Sequence, residues 1–239
     1  MCGRFVSTTT PEQIAERFRV DESRVSDHSP DYNVAPRRDI FAVRDRPTAT
    51  EADDEARPRR FLDLLRWGLV PSWAKDPGIG DRMINARAES VADKPAYRRA
   101  FAKRRCIIPA DGFYEWRARE GRAKEPMYIH RRDGELLAFA GLWEAWRDPD
   151  ASSEDEWLRS CAIVTTAANE LLAPVHDRMP VVLPESVWEP WLDPANHDMD
   201  ALRSLLAPAP DEWFELYPVT TRVNRPQHND PELLARVDA

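Results

Sequence analysis

Proline sets the first limit on what this chain can build. There are 21 prolines against 8 glycines in 239 residues. Each proline fixes φ and removes a backbone donor, so it interrupts helices and central strands. The pattern predicts many rigid turns and few long helices. Between the breaks the apolar blocks are short and β-like, and strands are predicted at 3–7, 39–43, 61–67, 105–109, 112–117, 126–130, 136–143, 158–165, 181–183 and 214–218. Thr10 followed by Pro11 and Glu12 reads as a capped helix start running to about Arg19. Further helices are predicted at 95–103, 169–173, 184–191 and 199–206. Nothing alternates strand with helix in the way a doubly wound sheet requires. The expected fold class is therefore α+β: a single compact β-rich domain over 1–239 with short flanking helices. The polar stretches 44–60 and 147–156 read as loop insertions in it, and 207–210 as a short rigid connector.

Composition removes several functional classes. Hydrophobic residues make up 42% of the chain, enough for a sizeable core. No stretch approaches the apolar length of a membrane span, and no basic-then-apolar leader opens the chain, so a cytoplasmic protein with no membrane association is expected. Cys2, Cys106 and Cys161 are odd in number and fit reduced thiols better than a disulfide framework. No His, Cys or carboxylate spacing matches a zinc site, so neither metal nor other cofactor is expected. Net charge is −8, which alone argues against nucleic acid. Its distribution argues the other way. Between Arg82 and Arg105 eight basic residues face two acidic ones, eight minus two giving +6. A solvated helix face explains such a run as well as a polyanion does.

Chemistry concentrates at the start. In Met1-Cys2-Gly3-Arg4-Phe5 the small second residue favours removal of Met1, which makes Cys2 a 1,2-aminothiol. Such a group condenses with an aldehyde to a Schiff base, which the thiol closes to a thiazolidine. From ordinary pKa values near 7.8 and 10.4, roughly 14% of an α-amine but roughly 0.04% of a lysine is neutral at pH 7. Glu115 lies in Phe113-Tyr114-Glu115-Trp116; strand alternation puts it on one face with Phe113, where partial desolvation raises its pKa toward general acid-base use. A solvent-facing strand carboxylate is the alternative. His176 stands at an apparent helix-to-strand turn, as a proton carrier or as a structural turn residue. Asn85 and Arg87, two apart on an extended segment, point the same way: an amide to hold the amine or a sugar oxygen, and a fork to grip phosphate. Trp67 and Trp73 flank a Gly-Leu-Val-Pro turn, as core or as stacking surfaces for unpaired bases.

These clusters, in this order, resemble the SRAP family, the SOS-response-associated peptidase or abasic-site processing family. The matching pieces are Met1-Cys2-Gly3-Arg4-Phe5, Asn33-Val34-Ala35-Pro36, Arg66-Trp67-Gly68-Leu69-Val70-Pro71, Asn85-Ala86-Arg87-Ala88-Glu89, the run from Arg105 to Trp116, and His176-Asp177-Arg178-Met179-Pro180. The resemblance implies one β-rich domain with a positively charged DNA groove. It implies an enzyme that captures abasic sites in single-stranded DNA as a thiazolidine crosslink through Cys2, with Asn85, Glu115 and His176 in the active site. Autocatalytic removal of Met1 and weak lyase activity fall within the same expectation. Arg4, Arg87 and, from the basic tract, Arg98 are expected to contact DNA, with Trp67 in the base-stacking segment. The expected partner is single-stranded DNA containing abasic sites, bound by a monomer that associates with the nucleoid. The acidic stretch 44–60 and the pair Arg37-Arg38 stand outside the motif set. The alternative is an N-terminal-nucleophile amidohydrolase or cysteine peptidase that uses Cys2 on an amide. A third reading is a non-covalent module that binds damaged DNA.

Overall fold

The computed structural model describes residues 2–26, 29–47, 58–148 and 157–237. Among the described residues thirteen strands run in chain order: β1 Phe5–Ser7, β2 Glu22–Ser23, β3 Asp31–Val34, β4 Asp39–Arg46, β5 Arg59–Trp67, β6 Asn85–Arg87, β7 Arg105–Ala110, β8 Gly112–Arg117, β9 Glu125–Arg131, β10 Leu137–Arg147, β11 Trp157–Ala167, β12 Arg178–Pro180 and β13 Phe214–Pro218. The α-helices are short: α1 Pro11–Phe18, α2 Arg98–Lys103, α3 Trp188–Leu192 and α4 Met199–Ser204. The α+β, β-rich expectation holds. At α1 the predicted cap is a full capping box, with Thr10 and Gln13 exchanging bonds and Pro11 in the first turn. The segment 169–173 forms turns instead of a helix. Pro174 follows at once, and so few residues cannot offset the cost of nucleation.

Two sheets form the body. The smaller has the order β13-β9-β8-β1-β3. The larger runs β12-β11-β10-β7-β4-β5-β2, and β11 also pairs with β5 in parallel at Ser160↔Arg66 and Cys161↔Trp67. That short seam closes β5, β4, β7, β10 and β11 into a ring. Where β5 leaves the seam, β6 takes over its line, pairing Ile163↔Asn85 and Thr165↔Arg87. Alternation then sorts the side chains. Phe41, Val43, Leu62, Ala140 and Val164 face the helices, where Phe18, Phe101, Trp188 and Trp191 cover them. Ile40, Ala42, Leu65, Ile108 and Ile163 face the smaller sheet and meet Phe5, Phe113 and Ile129.

The expected insertions start later than the polar composition suggested. Arg44 to Arg46 and Arg59 to Arg60 are strand, paired across the β4–β5 hairpin. Arg44 is fully buried and donates to Asp63 at 2.6 Å, while Arg60 Nε donates to Asp45 at 2.8 Å. Charge alone misread the stretch because Arg44 and Arg60 are paired inside the fold. Residues 48–57 and 149–156, including the acidic runs, lie outside the described residues. Among the described residues no helix is long and apolar enough to cross a membrane.

Trp67 requires a correction. Expected in a base-stacking segment, it is fully buried between the sheets. Its ring meets Phe5 edge-on at 5.2 Å, and Nε1 donates to the Ile84 carbonyl at 2.9 Å. Strand alternation and the ring-closing seam leave its indole no route to solvent. Gly68 then turns the chain with φ +129°, and a Cβ there would sit 2.6 Å from the Gly80 carbonyl oxygen. The turn carries Trp73 to the surface, where it is 59% exposed. Trp67→Ala is expected to cost ~3–5 kcal/mol of stability, read by denaturant unfolding, and Trp73→Ala almost none.

Candidate active site and nucleic-acid interface

The smaller sheet brings the amino terminus to Glu115. Strand β1 pairs with β8 at Phe5↔Phe113, and the Tyr114 N–H donates to the Arg4 carbonyl at 2.9 Å. Residues 2–4 therefore run beside residues 114–116. Cys2 is fully buried there. Asn85 reaches it from the larger sheet, its Nδ2 donating to the Cys2 carbonyl at 2.8 Å. Asn85 is itself fixed: its backbone carbonyl accepts from the Tyr97 hydroxyl at 3.0 Å. Burial pushes that hydroxyl up to about 12, so it stays a donor. The other amide atom, Asn85 Oδ1, is buried with no hydrogen-bond partner among the described residues.

Glu115 behaves as the alternation predicts. Phe113 and Glu115 line one tight crevice with Ile129, Leu172, Val175, His176 and Arg178, while Tyr114 packs on the opposite face. Burial raises the Glu115 carboxyl above the usual range, and nearby His176 opposes the rise. Burial and the Glu115 carboxylate together push the Cys2 thiol well up. The thiol is thus a neutral S–H at physiological pH.

His176 sits where the turn 169–175 meets β12. Its backbone N–H donates to the Leu172 carbonyl at 3.0 Å, and its Nδ1 lies 2.9 Å from the Arg178 backbone nitrogen. The same Nδ1 is 2.8 Å from Asp177 Oδ1. One ring nitrogen cannot accept from the first and donate to the second. The backbone group can only donate, and Asp177 is highly exposed and free to turn away. The neutral ring therefore carries its proton on Nε2. The four expected site residues, from separate segments of the chain, converge on one place.

The basic tract is partly taken up by structure. Arg105 is buried and donates to the carbonyls of Trp191, Phe101, Ala102, Asp193 and Asn196. Arg104 pairs with Glu144. Arg82, Arg87, Lys94, Arg98, Arg99 and Lys103 remain at least partly exposed. Trp73 stands between two grooves, one lined by Arg98 and Arg99 and the other by Lys75 and Arg82. Arg4 is half-buried over Trp116, its guanidinium carbon 5.8 Å from the ring centre.

Arg178 belongs to the site, though sequence reasoning gave it no role. It lines the Glu115 crevice and forms a fork with Glu89 at 2.5 and 3.0 Å. Its place two residues after His176 in a shared motif was the available signal. Tyr97 left no signal at all, since its contact with Asn85 is made by folding. Among the described residues no group of three or more His, Cys, Asp or Glu could hold a metal ion.

The model of the SOS response associated peptidase (SRAP) family matches residues 1–226. The abasic site processing protein YoqW of Bacillus subtilis (strain 168) is 43% identical over 235 residues, covering 98% of this chain and 99% of that protein. The abasic site processing protein HMCES of Gallus gallus is 31% identical over 271 residues, covering 100% and 78%. A crystal structure of a protein from Bacteroides thetaiotaomicron superposes with a TM-score of 0.83 at 26% identity, covering 99% of this chain and 100% of that one. A phage-related protein from Bordetella bronchiseptica superposes with a TM-score of 0.65 at 32% identity, covering 91% and 94%.

Proposed function

The chain belongs to the SRAP family, and from that premise we propose that it captures abasic sites in single-stranded DNA covalently, through Cys2, after Met1 has been removed. The observation that carries the reading is the convergence of Cys2, Asn85, Glu115 and His176, with Cys2 and Glu115 buried and Arg87 exposed two residues from Asn85. Its relatives named abasic site processing proteins support the same substrate.

The chemistry follows from the groups present. An abasic deoxyribose is mostly a closed hemiacetal. Glu115, held toward its protonated form, donates toward the sugar as the ring opens to the aldehyde. The free α-amine of Cys2 adds to C1′, and His176 and Glu115 move the protons as the carbinolamine loses water. The Cys2 sulfur then adds to the imine carbon, and its proton passes to the nitrogen. One C–N and one C–S bond form and one water leaves. Asn85 Oδ1, unpartnered among the described residues, accepts a hydrogen bond from the amine or a sugar hydroxyl. Ring closure competes with β-elimination, so lyase activity is expected to be weak. The protein acts as a monomeric shield on nucleoid DNA and is consumed stoichiometrically.

The test is incubation with an oligonucleotide carrying one abasic site, followed by a denaturing gel. A heat-stable shifted band is expected; its absence with Met1 removed rejects covalent capture. The DNA face has its own test. Binding of undamaged single strands should weaken with salt, with a slope of about −0.7 per neutralised phosphate. Arg87→Glu should lower both affinity and slope. Trp73→Ala should cost ~1–3 kcal/mol of binding. Affinity indifferent to salt and to Arg87 would sink the nucleic-acid reading.

A further inference from the structure

The Asn33-Val34-Ala35-Pro36 segment is part of the motif set but takes no part in the chemistry above. Asn33 is fully buried in β3. Its Oδ1 accepts a 2.7 Å bond from Arg4 Nη1. Its Nδ2 lies within donating reach of three carbonyls, those of Val223 at 3.3 Å, Arg225 at 3.1 Å and His228 at 2.9 Å. An amide nitrogen has two protons, so the three oxygens share them. The same Arg4 Nη1 also donates to the Val223 carbonyl, at 2.8 Å. Asn33 and the turn 220–228 thus hold one nitrogen of Arg4 from two sides.

The turn is tied down elsewhere too. Asn224 Oδ1 accepts from Trp116 Nε1 at 2.7 Å, beneath the Arg4 guanidinium. The Tyr32 N–H donates to Asn229 Oδ1 at 2.7 Å. A guanidinium has five N–H donors in a rigid plane. With both Nη1 protons committed, the plane cannot rotate, and the Nη2 and Nε edge is left over. Arg4 Nε is buried and has no hydrogen-bond partner among the described residues. With Nη1 fixed by two bonds and Nε shut away from solvent, Nη2 is the donor held in place for an anion.

We propose that Asn33 is a positioning residue for DNA binding: it pins the turn 220–228 to β3 and, with the Val223 carbonyl, clamps Arg4 so that its Nη2 meets a phosphate. The proposal rests on the DNA reading above. It assigns the carboxy-terminal turn to the DNA face, although that turn carries none of the reacting groups.

The experiment measures single-stranded DNA binding across salt for the parent, Arg4→Ala, Asn33→Ala and the double variant. Arg4→Ala and Asn33→Ala should each weaken binding about tenfold, as loss of a bond to a charged group does. Each should reduce the salt slope by about 0.7. The double variant should be no weaker than Arg4→Ala alone, because the two residues act as one unit. A full further tenfold loss in the double variant would reduce Asn33 to a structural staple and overturn the proposal. A second measurement does not depend on how Asn33→Ala folds. In the parent, undamaged single-stranded DNA should slow amide exchange at Val223, Arg225 and His228, whose N–H groups close the turn; in Arg4→Ala it should not. Unchanged exchange in DNA-bound parent also overturns the proposal. A parent that binds no single-stranded DNA at all removes the functional reading beneath it, a separate and recognisable failure.

Discussion

Cys2→Ala is expected to abolish the heat-stable crosslink to abasic DNA while leaving DNA affinity within about twofold, as expected when a reacting group is removed without a binding contact. Once Met1 is removed, the alanine variant still offers an α-amine at the same place. It can form the Schiff base, which borohydride should trap, but it has no sulfur to close the ring. Cys2→Ser can at most give the weaker oxazolidine. The same logic applies to a protein with residues that cannot be removed ahead of Cys2. There the Cys2 nitrogen is an amide, and crosslinking should vanish with DNA binding intact. Parent-like crosslinking by Cys2→Ala would defeat the thiazolidine mechanism. The other thiols are poor substitutes: Cys106 and Cys161 are both fully buried, and burial pushes each of them up.

Glu115→Gln should slow crosslinking by ~10², the usual worth of a general acid-base, with affinity roughly unchanged. The pH dependence identifies the group. In the parent, single-turnover rate should rise as the α-amine deprotonates, around an ordinary value of about 7.8. It should fall as Glu115 ionises above its raised value. The glutamine variant should keep the first limb and lose the second. Stability should move in the opposite sense. The folded state holds the Glu115 proton more tightly than the unfolded chain does. Its contribution is fully present below the ordinary carboxylate range and is lost as pH rises through the folded value. Glutamine never ionises, so at neutral pH the variant should melt higher than the parent, by roughly 2–4 °C if ~1 kcal/mol is relieved. A parent-like rate and pH profile would show Glu115 to be a plain strand carboxylate.

Local rules made the site legible at particular residues. Alternation alone put Phe113 with Glu115 and away from Tyr114, because a strand has a period of two and tolerates no half-steps. The Thr10-Pro11 start was readable because capping is settled within four residues. Trp67 shows where local reasoning ends. Its neighbours Gly68, Pro71 and Trp73 revealed a turn, but which of the two tryptophans faced outward depended on the pairing of Cys161 with Trp67. The arginines at 44, 60 and 105 misled for the same reason. Their partners are Asp63 and Asp45 across the β4–β5 hairpin and, for Arg105, carbonyls at the ends of α2 and α3, which only folding brings into reach. Arg87 and Arg98 needed no such partners and stayed at the surface.

The parallel seam between β5 and β11 also fixes when the four site residues can meet. Synthesis delivers the amino terminus first, so once Met1 is cut away the aminothiol exists long before residue 176 has been made. Asn85 lies on the line that continues the seam, and β12, which follows His176, pairs with the far edge of β11. Neither can reach Cys2 until β11 has been translated and has docked against strands formed from much earlier sequence, a slow kind of contact. Until the ring is complete, the nascent chain carries its amino terminus without Asn85 and His176 beside it.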